Sequence, residues 1–115
     1  MLFNVADNSG AFKVKCVSVA KTVLPVPAGF ITTVVKSGVF SKKVQKGDIC
    51  RAVVVRLVRS TRRSFGYSVS YCINSVVLLK KNEVTPLGTR VKGTIFFELQ
   101  KSGFTRIVSL SAALV

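Results

Sequence analysis

Histidine is absent from this 115-residue sequence, and acidic residues are rare. Without histidine, the chain lacks the commonest general base and the commonest metal ligand of proteins. The four carboxylates are Asp7, Asp48, Glu83 and Glu98. Their positions form no pair with the spacing of an acid–base couple or of a cage for a hard cation. We therefore predict no catalytic residues, no metal site and no enzymatic activity.

Cysteine is also scarce. The three cysteines are Cys16, Cys50 and Cys72, and no C-x-x-C occurs. This spacing indicates neither a zinc site nor a disulfide framework, and it favours a reducing compartment. We expect each cysteine to pack as a small apolar residue. The glycines form no G-x-G-x-x-G motif and no P-loop, so the sequence predicts no nucleotide cofactor.

Long apolar runs are missing too, although the chain is apolar on average. No run approaches the ~18 residues of a membrane-spanning helix, so we predict no membrane span. Hydrophobic residues make up 49% of the chain and the mean hydropathy is +0.47. Lys and Arg total 18 against 4 acids, which gives a formal net charge of +14. Because disorder requires low hydrophobicity, we predict one folded domain over residues 1–115 with its cations outside the core.

Short β-rich runs alternate with turn signals along most of the chain, and valine supplies 21 of the residues. This pattern predicts a small β-barrel or sandwich. The expected strands lie near residues 2–6, 12–19, 30–36, 49–58, 67–71 and 76–79. In the second strand, Phe12, Val14 and Cys16 alternate with lysines, which predicts that these three side chains face the core.

The fourth strand and the last quarter of the chain are expected to pack together. Residues 53–55 are consecutive valines, which predicts a strand buried on both faces, with the C-terminal segment covering one of them. There, Ile95, Phe96 and Leu99 have helical spacing, as do Phe104, Ile107 and Val108. We therefore expect two short helices, although Ile107 and Val108 would also suit a strand.

Half of the basic residues fall between positions 36 and 63. Loop-borne cations at the rim of a rigid barrel can reach phosphates without disturbing the core. Phe65 lies among arginines at a predicted hairpin tip, where an aromatic ring can stack on an unpaired base, whereas Tyr67 also suits cross-strand packing. The candidate RNA-binding residues are Lys36, Lys42, Lys43, Lys46, Arg51, Arg56, Arg59, Arg62, Arg63 and Phe65. The alternative is that this charge serves solubility alone.

Four stretches carry longer motifs, in order along the chain. They are Asn4-Val5-Ala6-Asp7-Asn8-Ser9-Gly10-Ala11; Lys46-Gly47-Asp48 with residues 51–56; Arg62-Arg63, Gly66, Tyr71, Asn74 and residues 77–79; and residues 86–90 with Gly93, Glu98-Leu99, Phe104-Thr105 and residues 107–110. Together they resemble the universal family of ribosomal large-subunit protein fourteen over essentially the whole chain.

The resemblance implies a mainly β fold, a five-stranded barrel with a projecting β-ribbon and a short helical C-terminal region. It also implies a non-catalytic protein without a cofactor. Such a protein binds large-subunit rRNA on the face toward the small subunit, and it contributes to a bridge with small-subunit rRNA. Its protein neighbours would be large-subunit proteins three and nineteen. Thr89, Arg90, Arg106 and Ser109 resemble the patch that subunit-silencing factors use.

The sequence departs from the family pattern at several positions. Phe65 stands where Asp is common, Thr94 replaces a usual Pro and Phe97 replaces a usual Arg. Residues 111–113 replace an Ala-Pro-Glu run. Such divergence favours an organellar ribosome, in the mitochondrial matrix, over a bacterial or plastid one.

Two other classes compete with a ribosomal role. A free-standing small-barrel translation factor or RNA chaperone would have the same composition, and only the ordered motifs separate it from a ribosomal protein. A barrel-forming co-chaperonin is compatible with the Lys-Gly-Asp turn at residues 46–48, but the charge of +14 argues against it.

Overall fold

The computed structural model describes residues 2–19, 25–38, 45–62, 66, 68–80, 85–111 and 113–115, with the backbone alone at 61 and 62. The strands are β1 (Leu2–Val5), β2 (Ala11–Val19), β3 (Phe30–Gly38), β4 (Ile49–Arg56), β5 (Thr61–Arg62), β6 (Ser68–Val69), β7 (Ser75–Leu78), β8 (Thr94–Ile95) and β9 (Ala113–Leu114), and the helices are α1 (Glu98–Lys101) and α2 (Thr105–Leu110). None of the helices in this part of the chain is long and apolar enough to cross a membrane.

Five strands close into a barrel in the order β1-β2-β3-β4-β7. Strands β1 and β7 pair in parallel, and the other neighbours are antiparallel. Strands β5 and β6, which lie between β4 and β7 along the chain, form a separate antiparallel ribbon. Strands β8 and β9 pair in parallel near the C-terminus. The predicted fold class, a five-stranded barrel with a ribbon and a short helical C-terminal region, is confirmed.

The barrel interior is built from strand residues that alternate inward. In β3, Ile31, Thr33 and Val35 are buried and their neighbours are partly exposed, as a period of two requires. Thr33 is polar, but its hydroxyl donates to the carbonyl oxygen of Cys50 at 2.9 Å. This hydrogen bond satisfies the buried hydroxyl, so the interior accepts it at little cost.

A second apolar layer lies on the outside of β4. Val53, Val54 and Val55 are all fully buried, as predicted, so both faces of the strand are covered. The cover is the C-terminal segment: the Phe104 ring packs edge-on against Phe30, the residue that pairs with Val53, with centroids 5.4 Å apart. The backbone amide of Phe96 donates to the carbonyl of Val55 at 3.2 Å. The expected packing of the C-terminal region on this strand is confirmed.

The prediction that Phe12 faces the core is wrong. Ala11 pairs with Gly38 and Lys13 with the adjacent Ser37, so Phe12 is an extra residue, a β-bulge, in β2. A bulge shifts the alternation by one residue, and it turns Phe12 outward while Ala11 and Val14 stay buried. The close approach at this point requires glycine, because a Cβ on Gly38 would lie 2.7 Å from the Cα of Ala11.

Other predictions need smaller corrections. Ile95 lies in β8 and Phe96 precedes α1, so the first helix contains Leu99 but neither of those residues. Ile107 and Val108 lie in α2, which decides between helix and strand. Tyr67 lies outside the described residues.

The cysteines do not all pack as core residues. Cys16 and Cys50 are half-buried, whereas Cys72 is exposed, in contrast to the prediction. All three are free thiols. Burial raises the pKa of the Cys50 thiol, with smaller contributions from the charges of Asp48 and Asp7.

Candidate nucleic-acid interface

The predicted RNA-binding residues divide into four groups in the structure. Lys36, Lys46, Arg51 and Arg59 have exposed side chains, and Arg56 is half-buried. Lys42, Lys43, Arg63 and Phe65 lie outside the described residues, and Arg62 is described only through its backbone in β5.

Lys36 and Lys46 belong to neighbouring backbone segments. Lys46 lies in the turn before β4, and the turn is tied to β3 because Gly47 N donates to the carbonyl of Val35 at 2.9 Å. The Asp48 carboxylate accepts a 2.9 Å hydrogen bond from the backbone amide of Gln45. Lys36 and Lys46 are therefore each adjacent to one partner of the Gly47–Val35 hydrogen bond. The Asp48 carboxylate stabilises the turn itself.

Arg51 is positioned on the outer face of β4 by an aromatic ring. Its guanidinium carbon lies 5.2 Å from the centroid of Phe30, which is a cation–π distance. Phe30 is itself packed against Phe104. The C-terminal layer thus supports the ring on which this exposed cation rests.

Arg59 fixes the start of the ribbon. Its Nη2 donates to the carbonyl oxygen of Pro25 at 2.5 Å, which joins the segment after β4 to the segment before β3. Beside it, the amide of Val58 donates to Oδ1 of Asn74 at 2.8 Å, and the Asn74 carbonyl accepts from Asn4 N. One asparagine therefore holds the base of the ribbon against β1.

Arg56 is used inside the fold. Its Nε donates to the Thr94 carbonyl at 2.6 Å and its Nη1 to the Ser75 hydroxyl at 3.3 Å, while Nη2 is buried without a hydrogen-bond partner among the described residues. Gly93 makes room for this guanidinium, because a Cβ there would collide with Nη2. Burial lowers the pKa of the guanidinium. These contacts indicate a structural role for Arg56.

The predicted protein patch lies on two segments of the C-terminal region. Thr89 and Arg90 are exposed in the loop before β8, and Asn8 holds this loop through its Oδ1, which accepts from both of their backbone amides at 2.7 and 3.0 Å. The Asn8 Nδ2 donates to the Thr89 hydroxyl at 2.9 Å. Arg106 and Ser109 are exposed on α2, where the Ser109 hydroxyl donates to the Arg106 carbonyl at 2.8 Å.

Sequence reasoning missed the reason why Asn8 and its neighbours are needed. Asp7 is buried, and its carboxylate accepts from the Ser9 hydroxyl at 2.7 Å and from the Leu78 amide at 3.2 Å. This network joins the turn after β1 to β7, while Asn8 joins it to the loop before β8. The only signal in the sequence was the motif at residues 4–11, because the hydrogen bonds between Asn8 and Thr89 join residues some eighty positions apart.

The comparison with protein families matches the whole chain. The model of the family described as Ribosomal protein L14p/L23e covers residues 1–115. The barrel, the ribbon and the motif-bearing turns therefore lie entirely within the matched region. The chain belongs to the Ribosomal protein L14p/L23e family and is a structural, non-enzymatic protein of the large ribosomal subunit.

Proposed function

We propose that the chain binds large-subunit rRNA through exposed basic residues of the barrel and its turns and contributes to a bridge between the subunits. The observation that carries the proposal is the set of cations that the barrel and its turns hold on the surface: Lys36, Lys46, Arg51 and Arg59. Arginine and lysine at such positions neutralise phosphates, and these electrostatic contacts supply a large share of the affinity of proteins for nucleic acids.

The distribution of acids strengthens this proposal. The net charge is +14, whereas a small domain needs a net charge of only about 2–8 for solubility. Asp7 is buried in its own network and Asp48 is bonded to the amide of Gln45. Solubility alone therefore does not account for so large an excess of positive charge, and a polyanionic partner does.

The finer partners follow from the family resemblance and remain part of the proposal. Large-subunit proteins three and nineteen would adjoin the barrel, and small-subunit rRNA would meet it at the bridge. A silencing factor would dock on Thr89, Arg90, Arg106 and Ser109. The support from the structure is that all four side chains are exposed and that Asn8 fixes the first two.

The compartment is proposed from the sequence departures. Phe65, Thr94 and Phe97 stand where the family commonly has aspartate, proline and arginine, respectively. We propose a mitochondrial ribosome on this basis, with a bacterial or plastid ribosome as the alternative. Detection of the chain in ribosomes purified from isolated mitochondria would test this assignment.

Co-sedimentation tests the function. The tagged chain is expected to remain with large subunits through high-salt sucrose gradients, because an integral subunit protein is held by many contacts, whereas a free translation factor dissociates. Replacing Lys36 and Lys46 together by Glu should lower the occupancy. The matched control is Lys101→Glu with Lys92→Glu, which changes as many exposed charges elsewhere. Release of the wild-type chain by salt, or equal loss in both double variants, would contradict the proposal.

A further inference from the structure

Phe12 is an aromatic side chain that the fold turns into solvent. It is the extra residue of the first bulge in β2 and is 58% exposed. Bulges are structural devices that re-aim a side chain, and they are common beside functional sites. The period of β2 would place Phe12 in the core, so the bulge removes a large apolar ring from burial and presents it outside the barrel.

The ring of Phe12 is open to a stacking partner. Phe97 is the comparison: it is 38% exposed, but the ammonium group of Lys101 lies 5.4 Å from its ring centroid and covers a face. Within the part of the chain that the structure describes, no aromatic or cationic side chain stacks on Phe12. Its exposed faces are therefore available to a planar ligand.

Two exposed lysines are neighbours of Phe12 in the register of β2 and β3. Lys13 follows Phe12 directly and is exposed. On the facing strand, Lys13 pairs with Ser37 and Val14 with Val35, so Lys36 is an extra residue of β3 beside the Phe12 bulge, and it is exposed as well. Two adjacent bulges thus place one aromatic residue and two basic residues at neighbouring positions of β2 and β3.

We propose that Phe12 is a stacking platform for an unpaired base of RNA, with Lys13 and Lys36 on the adjoining phosphates. The inference rests on the proposed RNA binding and specifies which kind of nucleotide this surface takes. Aromatic rings bind single-stranded nucleic acid by stacking on bases, and neighbouring cations follow the backbone. A paired base within an RNA helix offers no free face, so the site selects an unpaired nucleotide.

Fluorescence gives a direct test, because the chain contains no tryptophan. The Phe12→Trp variant of the full chain carries a single indole at the proposed platform. Titration with a single-stranded oligoadenylate of about twelve nucleotides should quench and shift its emission, because the indole then stacks on adenine. A blunt RNA duplex of the same length should leave the emission nearly unchanged. The matched control is Val17→Trp. Val17 is also a bulge residue of β2 and is 61% exposed, but it is several residues along the strand from Lys13 and from the bulge at Lys36.

Affinity gives the second test. Phe12→Ala and Phe12→Leu should each bind the oligoadenylate about 5- to 100-fold more weakly than the wild type, because one base–aromatic stack is lost. Leucine keeps the apolar character without a π-face, so the loss in Phe12→Leu separates stacking from simple hydrophobic contact. Val17→Ala should bind like the wild type, and thermal unfolding should confirm that every variant is folded.

The outcomes separate this inference from the proposed function. If all Phe12 variants bind both RNAs like the wild type, the platform is refuted while salt-dependent RNA binding stands. If the wild type binds neither RNA, both are refuted. If Phe12→Ala lowers incorporation into subunits without any effect on RNA affinity, the ring contacts a protein and the stacking assignment is wrong.

Discussion

The guanidinium of Arg56 is held between β7 and the segment that leads into β8. It donates to the Thr94 carbonyl and the Ser75 hydroxyl, and Gly93 leaves the space that it occupies. A partly buried cation is tolerated when donors bond to protein acceptors, as Nε and Nη1 do here, although Nη2 has no hydrogen-bond partner among the described residues. The residue therefore belongs to the fold, although by composition alone it is indistinguishable from the arginines on the surface.

A pair of substitutions separates these two kinds of cation. Arg56→Met should lower the free energy of unfolding by about 1–3 kcal/mol, because the Thr94 carbonyl and the Ser75 hydroxyl lose charged donors. It should leave the salt dependence of RNA binding unchanged. Lys46→Met should have the opposite effects. Its free energy of unfolding should stay within about ±0.5 kcal/mol of the wild type, and the slope of log affinity for RNA against log salt concentration should be smaller by about 1. Chemical denaturation and RNA titrations at several salt concentrations provide both measurements. A reduced slope in Arg56→Met would show that this arginine does reach a phosphate.

At the scale of elements, β4 is the strand on which both apolar layers depend. Residues 52–55 are all buried, and the pairing with β7 skips Val55, which is a bulge between Val54 and Arg56. The carbonyl of this extra residue accepts the Phe96 amide, so the bulge provides the attachment point for the C-terminal segment. The bulge at Val55 thus interrupts the pairing of β4 with β7 and also attaches the C-terminal segment to β4.

Val53→Asp tests whether the outer layer is a real core. Val53 faces Phe30 and the C-terminal cover, and a carboxylate there would be buried without a partner. We expect a loss of several kcal/mol and a chain that unfolds at ordinary temperature. Val17→Asp introduces the same charge at an exposed position of β2 and should melt close to the wild type. Equal melting temperatures for the two variants would mean that the C-terminal segment does not cover β4.

Sequence periodicity was sufficient for most strands and insufficient for their irregularities. The run of valines in β4 predicts burial on both faces, because successive side chains of a strand point to opposite faces of the sheet. The bulge at Phe12 has no local signature in the sequence. It arises because Ala11 pairs with Gly38 and Lys13 with Ser37, on a strand more than twenty positions away. Residue-level roles such as that of Asn8 depend on the same long-range contacts. The family motifs identify these positions but do not reveal what they bind.

At the scale of the whole molecule, the fold separates charge from apolar surface. The interior and outer layers bury the consecutive valines of β4 together with Phe3, Phe96 and Phe104, and Asp7 is buried with them, whereas Phe12 and Phe97 stay exposed. The other cations whose side chains the structure describes are exposed on strands, turns and both helices, whereas Arg56 is held inside the fold. With a formal charge of +14 and few acids on the surface, the isolated protein repels itself and attracts any polyphosphate. Binding should therefore release counterions from the RNA.

We expect the isolated 115-residue chain to bind structured large-subunit RNA with a steep salt dependence. If about 6–10 phosphates are engaged, the affinity should fall by roughly 10³–10⁵ between about 50 and 200 mM salt. Filter binding across this range measures the slope, and the Lys36→Glu, Lys46→Glu double variant should reduce it, because the engaged cations are removed. The Lys92→Glu, Lys101→Glu control changes the net charge equally, so any difference between the two variants isolates contact from overall attraction. A flat salt response of the wild-type chain would remove the electrostatic basis of the proposed RNA binding.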